Sequence, residues 1–115
     1  MLESGPKTSI LLVTYNRSGL LARAVKRVLG QTFSDWELVV VDDSEGGEAE
    51  AALRPFRARD KRIIYFHRER KGSIANASNF GLAHARGEYV AVLDDDDWWA
   101  DQQKLAKQVK FLDEH

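Results

Sequence analysis

Short apolar runs alternate along the chain with longer stretches in which apolar residues return every three or four positions, the pattern of strands followed by helices. Ser9 to Val13 is the first run. Leu20, Leu21, Ala24, Val25, Val28 and Leu29 then share one helical stripe, with Asn16 or Ser18 able to cap its start and Gly30 to close it in a left-handed conformation. Trp36 to Val41 predicts a second strand, Glu48 to Arg59 a helix that Pro55 should kink or end, and Arg62 to His67 a third strand. Ser73 to Ala85 predicts a third helix with Ile74, Ala77, Leu82 and Ala85 inward, and Glu88 to Leu93 a fourth strand. A last helix is expected from Asp101 to Glu114, with Leu105, Val109 and Leu112 on its inner stripe. Strands that are apolar throughout suit a parallel sheet covered on both sides. The fold class expected is therefore α/β: a doubly wound, mainly parallel sheet of about four strands with helices on both faces.

The periodic part runs over residues 9–115, and residues 1–8 are expected to form a disordered extension outside it. With 115 residues, 43% of them hydrophobic, the chain has the size and core of one domain. Seventeen basic and eighteen acidic side chains leave a net charge of -1, which creates no field to gather nucleic acid or an anionic membrane. The absence of cysteine removes disulfides, thiolate metal sites and thiol nucleophiles. No apolar run approaches the roughly 20 residues that span a bilayer, and the first residues carry no secretory leader pattern. The expectation is a cytoplasmic domain with no nucleic-acid partner and no membrane segment.

In a doubly wound sheet, ligands bind beyond the carboxyl ends of the strands. Thr14-Tyr15-Asn16-Arg17 follows the first strand, Asp42-Asp43-Ser44 the second and Asp94-Asp95-Asp96-Asp97 the fourth, so one site can be lined by all three. Four adjacent aspartates repel one another unless a cation or amide donors compensate, and hard oxygen ligands suit Mg2+ or Mn2+, ions that bridge one or two carboxylates to phosphates. The plain alternative is a solvated acidic loop. Asp42-Asp43 can accept hydrogen bonds from a base or ribose, or form an acidic turn. Tyr15 can stack on a base or pack half-buried, and Arg17 can meet a phosphate or cap the surface. His67, His84 and His115 lack metal-ligand spacing and read as structural or solvated. The basic stretch from Arg57 to Lys71 is interleaved with acids and reads as a solvated face, while Gly72-Ser73 can offer amides to an anion.

These segments together resemble the family-2 glycosyltransferases of the GT-A fold, inverting enzymes that use nucleotide-activated sugars. The resemblance rests on Ile10 to Arg17, Gln31 to Ser44, Gly72 to Asn79, Ala85 to Val90 and Leu93 to Trp98, in that order. It implies that Thr14, Tyr15 and Asp43 hold the base and ribose of the donor, with Asn16, Arg17 and Asn79 in the same nucleotide site. Asp94-Asp95-Asp96 would be the family's DXD element, with Asp94 and Asp95 in the nucleotide site, Asp95 approaching the ribose, and Asp94 and Asp96 serving the metal, Mn2+ or Mg2+, that bridges the two phosphates. UDP is the nucleotide the resemblance favours, with dTDP and GDP compatible; the acceptor is a sugar or lipid-linked molecule of unknown identity. The family places its acceptor site and carboxylate base in a second half that this chain does not match, so the resemblance implies a donor-binding half domain without appreciable transfer activity of its own, and the sheet edge left uncovered after the fourth strand is expected to favour self-association. Two other readings compete: a non-catalytic nucleotide-binding or interaction module, and a phosphoacceptor receiver domain suggested by Val41-Asp42-Asp43-Ser44.

Overall fold

A computed structural model describes residues 5–68, 74–94 and 102–115, without the side chains of Ile74 and Ala75. Strands β1 (Thr8–Thr14), β2 (Trp36–Asp42), β3 (Ile63–His67) and β4 (Tyr89–Asp94) alternate with helices α1 (Ser18–Leu29), α2 (Glu48–Arg59), α3 (Ile74–His84) and α4 (Lys104–Glu114). The strands form one sheet in the order β3-β2-β1-β4, and every pairing is parallel. This is the α/β architecture the pattern predicts.

Alternation along the strands divides the core. Ile10, Leu12, Leu38, Val40 and Leu93 face one side and pack with Leu21, Ala24, Val25 and Val28 of α1, Ala49 and Leu53 of α2, and Leu105 of α4. Leu11, Val39 and Val41 face the other side, where α3 supplies Ala77 and Phe80. On that side α3 lies close to the sheet, because a Cβ added to Gly81 would come within 2.2 Å of Leu11 Cδ1. The inner stripe of α3 is therefore Ala77 and Gly81, and Leu82, expected inward, is 45% exposed. Leu82 stands one residue, about 100° of helical rotation, away from Gly81. Leu112 of α4 is likewise 44% exposed, beyond the point where Leu105 and Val109 meet the sheet.

Other local expectations change for identifiable reasons. β1 opens at Thr8, and Lys7 is already tied in: its carbonyl accepts from Tyr89 N–H, and its amine bridges Glu88 at 2.9 Å and Asp113 at 2.7 Å. α1 has no side-chain cap; Arg17 occupies the capping position and neither Asn16 nor Ser18 serves it. Gly30 is right-handed, with φ -82°, so the helix ends without the left-handed residue expected. α2 runs straight through Pro55. Pro55 and Ala51 are both exposed, so the Ala51 carbonyl that loses its partner is served by water and the helix need not break. Gln31 is buried, and its side-chain oxygen accepts from Leu105 N–H at 3.0 Å, capping α4 from across the molecule.

At the amino ends of the strands, Glu37 is 2% exposed. Its carboxylate accepts from Ser9 Oγ, from Arg86 N–H at 2.7 Å and from Arg86 Nε at 3.1 Å, while Ser9 Oγ accepts from Gly87 N–H. This cluster fixes the turn between α3 and β4, so the register that places Asp94 at the far end is set here. At the sheet edge formed by β4, Val90 and Val92 are exposed and border a groove of about 500 Å³ against α4. No helix among the described residues is long and apolar enough to cross a membrane.

Candidate functional site

The strands that lead into the three polar segments all run toward one end of the sheet. Thr14 is in register with Asp42, and Val13 with Asp94, so the carboxyl ends of β1, β2 and β4 lie side by side. The first loop is bound to the second. Asp43 N–H donates to Thr14 O at 3.0 Å, Asn16 N–H to Ser44 Oγ at 2.7 Å, Glu45 N–H to Asn16 Oδ1, and Tyr15 O–H to Glu45 Oε1 at 3.1 Å. Asn16 has φ 53°, the left-handed region, which asparagine tolerates and which turns its backbone N–H toward Ser44. Asn16 and Arg17 are exposed, Tyr15 is half-buried and Thr14 is buried.

The acidic pair splits into two roles because consecutive residues at a strand end point to opposite faces. Asp42 is fully buried on the side of α1 and α2, where its Oδ1 accepts from Ser44 N–H at 2.8 Å and its Oδ2 from Tyr65 O–H at 2.6 Å. Burial, followed by the hydrogen bond to Asp42, pushes the Tyr65 hydroxyl far above the usual tyrosine range, so it stays a donor. Both oxygens of Asp42 are thus occupied, which removes the ground for a phosphoacceptor aspartate. Tyr65→Phe is expected to lower the unfolding free energy by about 2 kcal/mol, read by urea denaturation, because it leaves a buried carboxylate oxygen without its donor.

Asp43 lies on the side of α3 and is 6% exposed, yet its Oδ1 is buried with no hydrogen-bond partner among the described residues. Arg68, just beyond β3, brings its Nε to 3.8 Å from that oxygen. The Arg68 backbone N–H donates to Asp42 O at 2.8 Å, and His67 Nε2 is 2.9 Å from Ser44 O. Tyr65, His67 and Arg68 were not among the residues singled out from sequence for the site. The available signal was the rule already applied to the other strands: Arg68 follows a strand whose end is in register with Asp42.

Asp94 ends β4 and is exposed, and Asn79 is exposed on α3, about 200° of helical rotation from Ala77, which packs on the sheet. Asp95, Asp96, Asp97, Trp98, Trp99, Gly72 and Ser73 lie outside the described residues. A cleft of about 210 Å³ opens between the first two loops, lined by Asn16, Arg17, Ser44, Glu45 and Glu48.

Against known proteins, the profile described as Glycosyl transferase family 2 matches residues 9–115. The chain belongs to this family. Among its relatives, the GalNAc(5)-diNAcBac-PP-undecaprenol beta-1,3-glucosyltransferase of Campylobacter jejuni is 38% identical over 94 residues, which cover 80% of this chain and 30% of that protein. The glycosyltransferase GlyG of Streptococcus pneumoniae is 34% identical over 77% of this chain and 30% of its own. The mannosyltransferase PcManGT of Pyrobaculum calidifontis, solved with GDP-Man and Mn2+, superposes with a TM-score of 0.83 at 31% identity, covering 94% of this chain and 32% of that one. TarS of S. aureus, residues 1–349 solved with UDP-GlcNAc, gives a TM-score of 0.84 at 26% identity, covering 95% and 32%. The chain thus spans about a third of the length of these four proteins.

Proposed function

We propose that the crevice at the carboxyl ends of β1, β2 and β4 binds a nucleoside-diphosphate sugar together with a divalent cation, as the donor site of a sugar transfer to an acceptor hydroxyl. The observation that carries this reading is the unbonded, buried Oδ1 of Asp43 in a loop pair already pinned in place. A buried carboxylate oxygen without a donor is costly, and an N–H or O–H of a base or ribose would satisfy it. Thr14, Tyr15, Asn16 and Arg17 supply the neighbouring wall. Support also comes from two structural relatives solved with a GDP-sugar and a UDP-sugar.

Among the described residues no cluster of three or more acidic, histidine or cysteine groups forms a ready-made cage. Mg2+ and Mn2+ keep waters and take one or two carboxylates plus phosphate oxygens, so they need no such cage. Asp94, at the tip of β4, has the right donor chemistry, and Asp95 and Asp96 follow it in sequence. Asp94 and Asp96 would hold the ion, which when bound supplies positive charge to a departing diphosphate.

Calorimetric titration of UDP and of GDP, each with and without Mn2+, tests the reading. Metal-dependent binding of either nucleotide is the expected result, and a folded sample that binds neither overturns it. Asp96→Asn is expected to weaken Mn2+-dependent nucleotide binding by about tenfold while leaving the unfolding midpoint unchanged.

A further inference from the structure

We propose that Arg68 is the positioning residue of the donor crevice: from the end of β3 it holds Asp43 ready to accept from the ligand and ties α3 to the same point. The inference rests on the reading that Asp43 contacts the nucleotide.

The side chain of Arg68 is 17% exposed and that of Asp43 9%. Their separation of 3.8 Å lies within ion-pair reach and beyond hydrogen-bond distance. The guanidinium therefore balances the buried carboxylate without occupying the lone pairs of Oδ1. A neutral side chain at this position would leave the charge of Asp43 uncompensated in a nearly dry site, and the carboxylate would turn toward water or toward backbone amides.

The same residue makes three further attachments, two through its side chain and one through its backbone. Nη1 donates to the carbonyl of Asn76 in the first turn of α3 at 3.1 Å, the guanidinium lies 5.0 Å from the Phe80 ring centroid, and the backbone N–H is bonded to Asp42 O. Phe80 in turn packs edge-on against Phe66 of β3. One residue thus joins the ends of β2 and β3 to α3, and the planar fork of arginine allows the contacts to Asp43, Asn76 and Phe80 at once. A lysine keeps the charge and loses the fork. Arg68 need not touch the ligand to act; its work is done on Asp43.

UDP and GDP, each with Mn2+, are titrated calorimetrically into the wild-type chain, Arg68→Gln, Arg68→Lys, Asp43→Ala and the Arg68→Gln/Asp43→Ala double variant, with thermal unfolding of each. Arg68→Gln is expected to bind about tenfold more weakly than wild type, and Arg68→Lys to recover part of the loss. In the Asp43→Ala background Arg68→Gln should change affinity less than about twofold, since the residue it serves is gone. A purely structural role would instead add its full loss of affinity in the double variant, which overturns the proposal. Wild-type affinity in Arg68→Gln also overturns it. Should Arg68→Gln fail to fold, Arg68→Lys decides: wild-type affinity in that variant removes the need for the fork. Failure of the wild type to bind either nucleotide is distinct, because it overturns the donor reading itself and this inference with it.

Discussion

Asp43→Ala is expected to weaken nucleotide binding by about a hundredfold while leaving both Mn2+ affinity and the fold intact. Hydrogen bonds to a charged group contribute about 1.5–3 kcal/mol each, and 1.4 kcal/mol is a factor of ten in affinity. One or two such bonds made by a preformed, nearly buried carboxylate account for the size of the loss. Stability should be spared because Oδ1 of Asp43 has no hydrogen-bond partner to lose among the described residues, and the Arg68 guanidinium, parted from its ion pair, keeps its bond to Asn76 O and its contact with Phe80. Titration of UDP or GDP with Mn2+, beside thermal unfolding followed by circular dichroism, checks both halves. A large drop in the midpoint would make Asp43 a structural residue, and equal losses for nucleotide and metal would end the separation between Asp43 and the acidic tip of β4.

Gly87→Ala is expected to cost about 3 kcal/mol, enough to lower the unfolding midpoint by roughly 10 °C. A Cβ at this position would stand 2.4 Å from the backbone nitrogen of Ser9 and 2.7 Å from both Ser9 Oγ and the carbonyl carbon of Thr8. These are mostly backbone atoms of β1, which cannot rotate aside as a side chain can. The insertion would also push Gly87 N–H off Ser9 Oγ and disturb the Glu37 cluster. Gly81→Ala is the milder comparison, since its closest contact is the terminal methyl of Leu11. Gly19→Ala, with nothing within 4 Å, is the control and should leave the midpoint unchanged or raise it. Chemical denaturation of the three variants gives the order directly; a Gly87→Ala protein as stable as Gly19→Ala would show that the α3–β4 turn yields easily.

The strands and the order of the functional loops are legible in the chain because burial on both faces demands unbroken apolar runs, and turn chemistry must follow each of them. The same rule puts Thr14, Asp42 and Asp94 at one end of the sheet. It does not tell Asp42 from Asp43. That distinction depends on which side of the sheet carries Tyr65 and which carries Arg68, and β3 reaches both through pairing with β2. Arg68 is inconspicuous in a stretch of mixed charge, since exposed and half-buried arginines have the same sequence signature. Leu82 and Leu112 satisfy a helical period and still face solvent, because the period marks a stripe whereas the contact surface is limited by the width of the sheet.

Family membership, parallel α/β architecture and the placing of Thr14, Asp42 and Asp94 at one end of the sheet are thus properties of the sequence, dictated by local periodicity and by motif order. Tertiary structure decided which carboxylate has both oxygens hydrogen-bonded within the fold and which keeps a buried oxygen without a hydrogen-bond partner among the described residues. The physical reason is that hydrogen-bond satisfaction is settled between elements distant in sequence: Tyr65 stands 23 residues from the Asp42 it occupies.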